Sequence, residues 1–397
     1  MKCFYQVFLL IVCLSVTLFA KDDFQNMRVV WIEKPQTEAM IIWDSDKPAE
    51  DDYVKLELNG KEINKVYSHF DQAYTNIDKK RNKIEGDKFY VRHIKLRGLT
   101  PDSLYSFVAH SSDHKSKKYS FKTAPNNSKD VKIIFVGDSR TRIEVAEKIS
   151  EQMRDLSKDD QSIIATLHGG DYANVPELKY WKPWLSAYSR TTQKNGRLLP
   201  IIPVCGNHES ISRSPLYGEA YGYPGGKGKY TYSCELTPEV SIVILNSEIS
   251  AMGDQRKFLD ETLMSYKKDK IKWQLAAYHR PIYPAVKGPG AGLTAWAPLF
   301  EKYDLDISLE SDGHNIKRTL PIRDNKHSPD GVVYLGEGGY GAPQRTPKDK
   351  WYLKEPGMAT SGDHLMTLHF KEDTISYETI GIKGDVIDSY EFKARKR

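Results

Sequence analysis

The chain is 397 residues long, 39% hydrophobic and 28% charged, long enough for two domains and apolar enough to bury a core in each. That composition excludes a disordered or low-complexity chain. Its 58 Lys and Arg against 53 Asp and Glu leave a formal charge of only +5, and no dense basic run precedes Lys393–Arg397, so no nucleic-acid partner is expected.

In chain order, Met1–Ala20 carries the single charge Lys2, then an apolar run from Phe4, and charged sequence follows abruptly at Lys21. This is the order of a secretory leader cut after Ala20, which predicts a secreted or periplasmic protein with no stable membrane span once the leader is gone. The alternative is an uncleaved N-terminal anchor, because Leu18 is a poor residue at the third position before the cut. Cys3 and Cys13 lie inside this segment, leaving Cys205 and Cys234, whose pairing in an oxidising compartment stays open.

From Met27 to about Thr123 short runs alternate with period two, among them Met40–Trp43, Val54–Leu58 and Tyr90–Leu96, and no stretch of helical period intervenes. Such spacing predicts an antiparallel β-sandwich over residues 21–125, with Ala124–Lys129 as a linker. The rhythm changes after Val131. Strands over Lys132–Val136, Ser162–Leu167, Leu199–Val204, Val240–Leu245 and Lys272–Ala277 alternate with helices, including Arg142 to about Leu156 and Gln255–Lys267. Residues 130–397 therefore read as a layered α/β domain whose tail, His364–Phe392, returns to strands. Tyr217–Lys229, rich in Tyr and Gly, reads as a surface loop near the site.

Metal-capable residues recur where strands end: Asp138, Asp171, Asn207, His208, His279, Asp312 and His314. In an open α/β sheet the carboxyl ends of strands converge on one crevice, so residues far apart in sequence can surround one or two cations there. A lone Gly-Asp or Asn-His pair is a weak signal. Five strand ends in order, each bearing a carboxylate, amide or imidazole, are a strong one.

Gly137-Asp138, Gly170-Asp171, Gly206-Asn207-His208-Glu209, Tyr278-His279-Arg280-Pro281 and Asp312-Gly313-His314 resemble, in order, the motifs of calcineurin-like metallophosphoesterases. The purple acid phosphatase branch is the most similar, since the run Met27–Thr123, ending Tyr119-Ser-Phe-Lys-Thr-Ala124, resembles the fibronectin-like domain that precedes its catalytic domain. The resemblance implies an N-terminal antiparallel β-sandwich followed by a layered α/β metallophosphoesterase domain. It also implies two divalent or mixed-valence metal ions (Fe, Mn or Zn) and a small-molecule phosphate ester as substrate. Asp171 would bridge the ions, Asp138 and His314 would complete the first, and Asn207, His279 and Asp312 the second. His208 would stabilise the phosphoryl group or protonate the leaving oxygen, and Arg140 would add a fixed positive charge near the phosphate.

Two positions depart from the branch. Asn174 stands where its Gly-Asp-x-x-Tyr motif has the iron-binding tyrosine, and Asp312 stands where its last motif has the first of two histidines. A second register would start that motif at Gly313-His314 and make Ile316 a lost ligand; the first needs no gap and keeps a ligand at both positions. The resulting oxygen-rich donor set leans towards manganese, iron or magnesium, with zinc still admitted by imidazole. Phosphomonoester hydrolysis is the expected reaction. A phosphodiesterase, or a secreted metal-binding or recognition protein with impaired turnover, are the alternatives.

Several residues carry two readings at this point. His168 is either an orienting partner of a ligand or a hydrogen-bonded core residue. Trp181, Trp184 and Tyr188, at helical spacing, read as core, and Tyr172 points away from Asp171. Lys317 and Arg318 either line the pocket or form salt bridges.

Overall fold

The computed structural model describes residues 23–48, 51–78, 83–127, 129–210, 214–223 and 229–395. The leader expected over residues 1–20 lies outside these. Among the described residues no helix is long and apolar enough to cross a membrane.

Two large sheets pack face to face. In the first, Val131–Val136, Ile163–His168 and Ile201–Pro203 run parallel, flanked on one side by the antiparallel tail strands His364–Phe370, Thr374–Gly381 and Val386–Lys393. In the second, Val240–Ile244, Trp273–Ala277, Ile307–Leu309 and Val333–Gly336 run parallel. These strands read as near-continuous apolar runs because both faces are covered. Ile133, Leu167, Ile202, Ile242, Leu275 and Leu309 are among the residues filling the space between the sheets.

Helices cover the outer faces. Ile143–Asp159 buries Val145, Ala146, Ile149 and Met153, a stripe of helical period, against Ile134, Val136 and Ile163. Asp254–Lys268 does the same for the second sheet through Leu259, Leu263 and Tyr266. Both helices and the five strands expected from sequence are present, with bounds shifted by up to three residues.

The N-terminal strands form the expected sandwich. Gln25–Val30, Glu38–Ser45, Lys83–Arg97 and Phe70–Asp78 face Lys61–Tyr67, Tyr53–Leu58, Leu104–Ser111 and Tyr119–Lys122. Trp31, Trp43, Val54, Phe107 and Phe121 pack within the same core cluster and are fully buried. The first of these sheets does not stop at the sandwich. Gln25–Val30 pairs in parallel with Ile201–Pro203, and the Trp31 amide donates to the Ile201 carbonyl at 2.9 Å, so one sheet of ten strands runs through both halves of the chain.

One expectation changes, and one open pairing is decided. Leu216–Tyr221, read as part of a surface loop, is a short helix whose Leu216, Tyr217, Ala220 and Tyr221 are buried. Their rings pack against Trp181, Trp184 and Tyr172, so the Tyr-rich composition serves a core there. Cys205 and Cys234 are both buried thiols, not a disulfide.

Candidate metal centre

Parallel strands end on the same edge, and the metal-capable residues stand there: Asp138 past Val131–Val136, Asp171 past Ile163–His168, Asn207 past Ile201–Pro203, His279 past Trp273–Ala277 and Asp312 past Ile307–Leu309. Asp138, Asp171, Asp312 and His314 all have positive φ, between 57° and 65°. This left-handed turn is uncommon outside glycine and is best tolerated by short polar side chains, and here it turns each donor back over the sheet edge.

Asp138, Asp171, His279, Asp312 and His314 are buried. His279 Nε2 lies 3.2 Å from Asp171 Oδ1, 3.2 Å from Asn207 Oδ1 and 3.8 Å from Asp312 Oδ1. His314 Nε2 lies 3.3 Å from Asp138 Oδ1. Asp138, Asp171 and His279 each offer a ligand atom within 4.8 Å of the others. Ile316 is packed in the hydrophobic core between the sheets, whereas Asp312 and His314 lie beside His279 and Asp138.

The imidazoles have defined tautomers. His279 Nδ1 lies 2.8 Å from the Gly169 carbonyl and His314 Nδ1 2.9 Å from the Pro343 carbonyl. Carbonyls only accept, so Nδ1 carries the proton and each Nε2 lone pair is left for the site. A lone pair among carboxylate and amide oxygens needs a positive charge at its centre, either a further proton or a metal ion. Burial pushes His279 down, but the charges of Asp171, Asp138 and Asp312 outweigh it and hold its pKa well above the usual value. Burial likewise pushes the Asp171 carboxyl up, and His279 and His208 carry it below the usual carboxylate range. The donor set thus fits a divalent cation in chemistry and spacing.

His208 Nδ1 is hydrogen-bonded to the Asn174 carbonyl, leaving Nε2 3.6 Å from Asp171 Oδ2. Arg140 reaches the same carboxylate oxygen with Nε at 3.2 Å. All eight motif residues named from the sequence are therefore linked by side-chain contacts at one place.

Behind them lies support of two kinds. His168 is both of the things its sequence allowed: it is fully buried, it accepts from the Gly170 amide at 3.1 Å, and its Nε2 is 3.0 Å from Ser139 Oγ. It thereby ties the Asp138 turn to the Asp171 turn. Tyr172 points away, as expected, and stacks on His168 at 3.9 Å. Glu209 accepts the amides of Asp171, Gly206 and Tyr172 at 2.8, 2.9 and 3.0 Å, while burial and Asp171 push its pKa up to about 8. Both Glu209 oxygens are engaged as acceptors, which favours the carboxylate form. Lys317 and Arg318 form salt bridges. Lys317 is fully buried between Glu310 and Glu337, and Arg318 forks onto Asp388 at 2.8 and 2.9 Å.

Sequence reasoning missed two basic residues. Lys287 forms an ion pair with Asp312 Oδ1, and Arg345 donates to the Asp312 carbonyl at 2.8 Å. Both come from loops with no recognisable motif, and nothing local marks them.

Layered α/β architecture with carboxylates and imidazoles at the strand ends makes this a layered α/β protein with a candidate metal site. The family comparison is specific: the calcineurin-like phosphoesterase model matches residues 131–315 and the purple acid phosphatase N-terminal domain model matches residues 24–123. The chain belongs to the calcineurin-like metallophosphoesterases and, within them, is purple acid phosphatase-like. It is 25% identical over 276 residues to an uncharacterized protein of Mycobacterium tuberculosis, covering 59% of this chain and 51% of that one. It is 24% identical over 309 residues to an Arabidopsis thaliana purple acid phosphatase whose name carries the word inactive, covering 64% of this chain and 50% of that one. The chain thus spans about half the length of these curated relatives. Its fold matches a purple acid phosphatase from yellow lupin seeds with a TM-score of 0.75 at 17% identity, over 93% of this chain and 74% of that one.

Proposed function

We propose that this chain hydrolyses phosphate monoesters outside the cytoplasm by metal-activated attack of hydroxide on phosphorus. The observation that carries the reading is the convergence of Asp138, Asp171 and His279 within 4.8 Å, with Asn207, Asp312 and His314 around them. When bound, a divalent cation would supply hydroxide at neutral pH and positive charge for the phosphoryl oxygens. The residues of the chain do the rest. Nδ1–H of His208 is held by the Asn174 carbonyl, so its other nitrogen, when protonated, can give a proton to the leaving oxygen. Arg140, held against Asp171, adds a fixed positive charge near the phosphate. Extracellular placement rests on the leader-like pattern of Met1–Ala20.

The deciding experiment is hydrolysis of an aryl phosphate by protein reconstituted with manganese, zinc or iron, beside Asp171→Asn and Asp312→Ala. The parent is expected to turn over, and Asp171→Asn to lose on the order of 100-fold or more. Faster cleavage of a diester than a monoester would replace the substrate class and keep the site. The ion pair between Lys287 and Asp312 favours a second reading, a recognition protein with impaired turnover. Absence of hydrolysis with all three metals would select it.

A further inference from the structure

We propose that Arg140 takes the place of one of the two cations expected in this family, so that the chain works with a single metal ion. The proposal rests on the metal-dependent reading above and concerns how the positive charge is supplied.

The argument is an accounting of lone pairs. The guanidinium of Arg140 lies across the atoms that the family resemblance gives to the first ion. Its Nε is 3.2 Å from Asp171 Oδ2, Nη1 is 3.2 Å from Asn174 Oδ1 and Nη2 is 3.4 Å from His314 Nε2. With the His314 proton on Nδ1, the Nε2 lone pair faces a donor. A guanidinium does not give up its protons, so it cannot itself become a ligand; it replaces a cation or repels one. Asn174 makes this possible. It stands where the branch has its iron-binding tyrosine, and its amide oxygen holds the guanidinium there. The substitution and the arginine form one device.

The acceptors left over belong to a single ion. Asp138 Oδ1 is buried with no hydrogen-bond partner. His279 Nε2 carries no proton in the tautomer set by Gly169, and Asn207 Oδ1 lies 3.2 Å from it. Asp138, Asp171 and His279 bring their ligand atoms within 4.8 Å of one another, the spread of one coordination sphere. One divalent ion, the Arg140 guanidinium and the Lys287 ammonium paired with Asp312 already bring four positive charges against the three carboxylates of Asp138, Asp171 and Asp312. A second divalent ion would sit against a fixed positive charge in a buried pocket.

The test is metal content and the spectrum of bound Mn(II), neither of which needs turnover. Wild-type protein reconstituted with manganese and dialysed should hold one ion per chain and give the paramagnetic resonance spectrum of an isolated Mn(II). Arg140→Ala, and the double variant Arg140→Gly with Asn174→Tyr, should hold two and show spin coupling, while Arg140→Lys should stay at one. Circular dichroism of each variant checks that it is folded. Two coupled ions in the wild type would overturn the proposal and leave the phosphatase reading standing, as would one ion in both the wild type and the folded Arg140→Ala. No retained ion in the wild type would remove the metal-dependent reading as well.

Discussion

At the scale of single residues, the site is held by backbone hydrogen bonds as much as by side chains. Glu209 joins the amide groups of Asp171, Tyr172 and Gly206, so one carboxylate fixes the turns that carry Asp171 and Asn207. Glutamine there has only one acceptor oxygen for three amides. Glu209→Gln is therefore expected to keep the fold and lower metal affinity by about 10–100-fold, read by metal titration; unchanged affinity would show that Glu209 is only packing. The nearness of the candidate ligands to one another was legible in the sequence because residue type and position coincide: each follows an apolar strand. Lys287 and Arg345 were not legible, since they reach Asp312 through the tertiary fold from loops distant in sequence. The bond between Arg140 and Asn174 was hidden for the same reason, although both residues were in view.

At the scale of elements, periodicity located the strands and helices of the layered domain and failed where composition misled. Tyr217 and Tyr221 sit in a stretch rich in glycine, which reads as loop, yet both rings are buried, Tyr221 against Trp181 and Trp184 and Tyr217 against Tyr172. The ends of Ile307–Leu309, Ile316–Arg318 and Val333–Gly336 are locked by a network the sequence does not reveal. Lys317 Nζ bonds Glu310, Glu337 and the Tyr283 carbonyl, and Glu310 in turn accepts the Tyr278 hydroxyl at 2.7 Å. Tyr278 precedes His279, and Glu337 accepts the Ala285 amide at 3.0 Å, so the network ties together the segments that carry His279, Asp312 and His314. Lys317→Met would leave two carboxylates buried without their cation, a loss of about 3–5 kcal/mol in stability. Urea unfolding measures it, and a loss under 1 kcal/mol, roughly that of a surface ion pair, would show that the carboxylates find other partners.

At the scale of the whole molecule, the sandwich and the α/β layers share a sheet and a hydrophobic core. His93 lies in that junction: its Nε2–H donates to the Glu219 carbonyl at 2.7 Å, and burial pushes its pKa down to about 3. His364, buried near Asp138, is pushed down to about 4. Both are neutral in the folded chain and gain a proton on unfolding below their ordinary value of about 6.5. Their contribution to stability is therefore complete above pH about 6.5 and is lost as pH falls towards 4 and 3. The melting temperature should fall over that window, and His93→Gln should flatten the fall; identical slopes would place the acid sensitivity in the carboxylates alone. The sandwich itself was legible as alternating strands. Its hydrogen-bonded joining to Ile201–Pro203 was not, because strand pairing across such a separation leaves no local pattern.

Tyr172, Trp181, Trp184, Tyr217 and Tyr221 stack behind the Asp171 turn, and Trp184 meets His168 edge-on at 5.7 Å. His168 in turn holds Ser139 and Gly170, each next to a carboxylate of the site. Trp184 directly, and Trp181 through Tyr172, thereby pack against the residue that joins the turns carrying Asp138 and Asp171. Tryptophan emission is therefore expected to change as metal is titrated in, with no dye or chromogenic substrate needed, and constant emission through full loading would show that the rings do not sense the site.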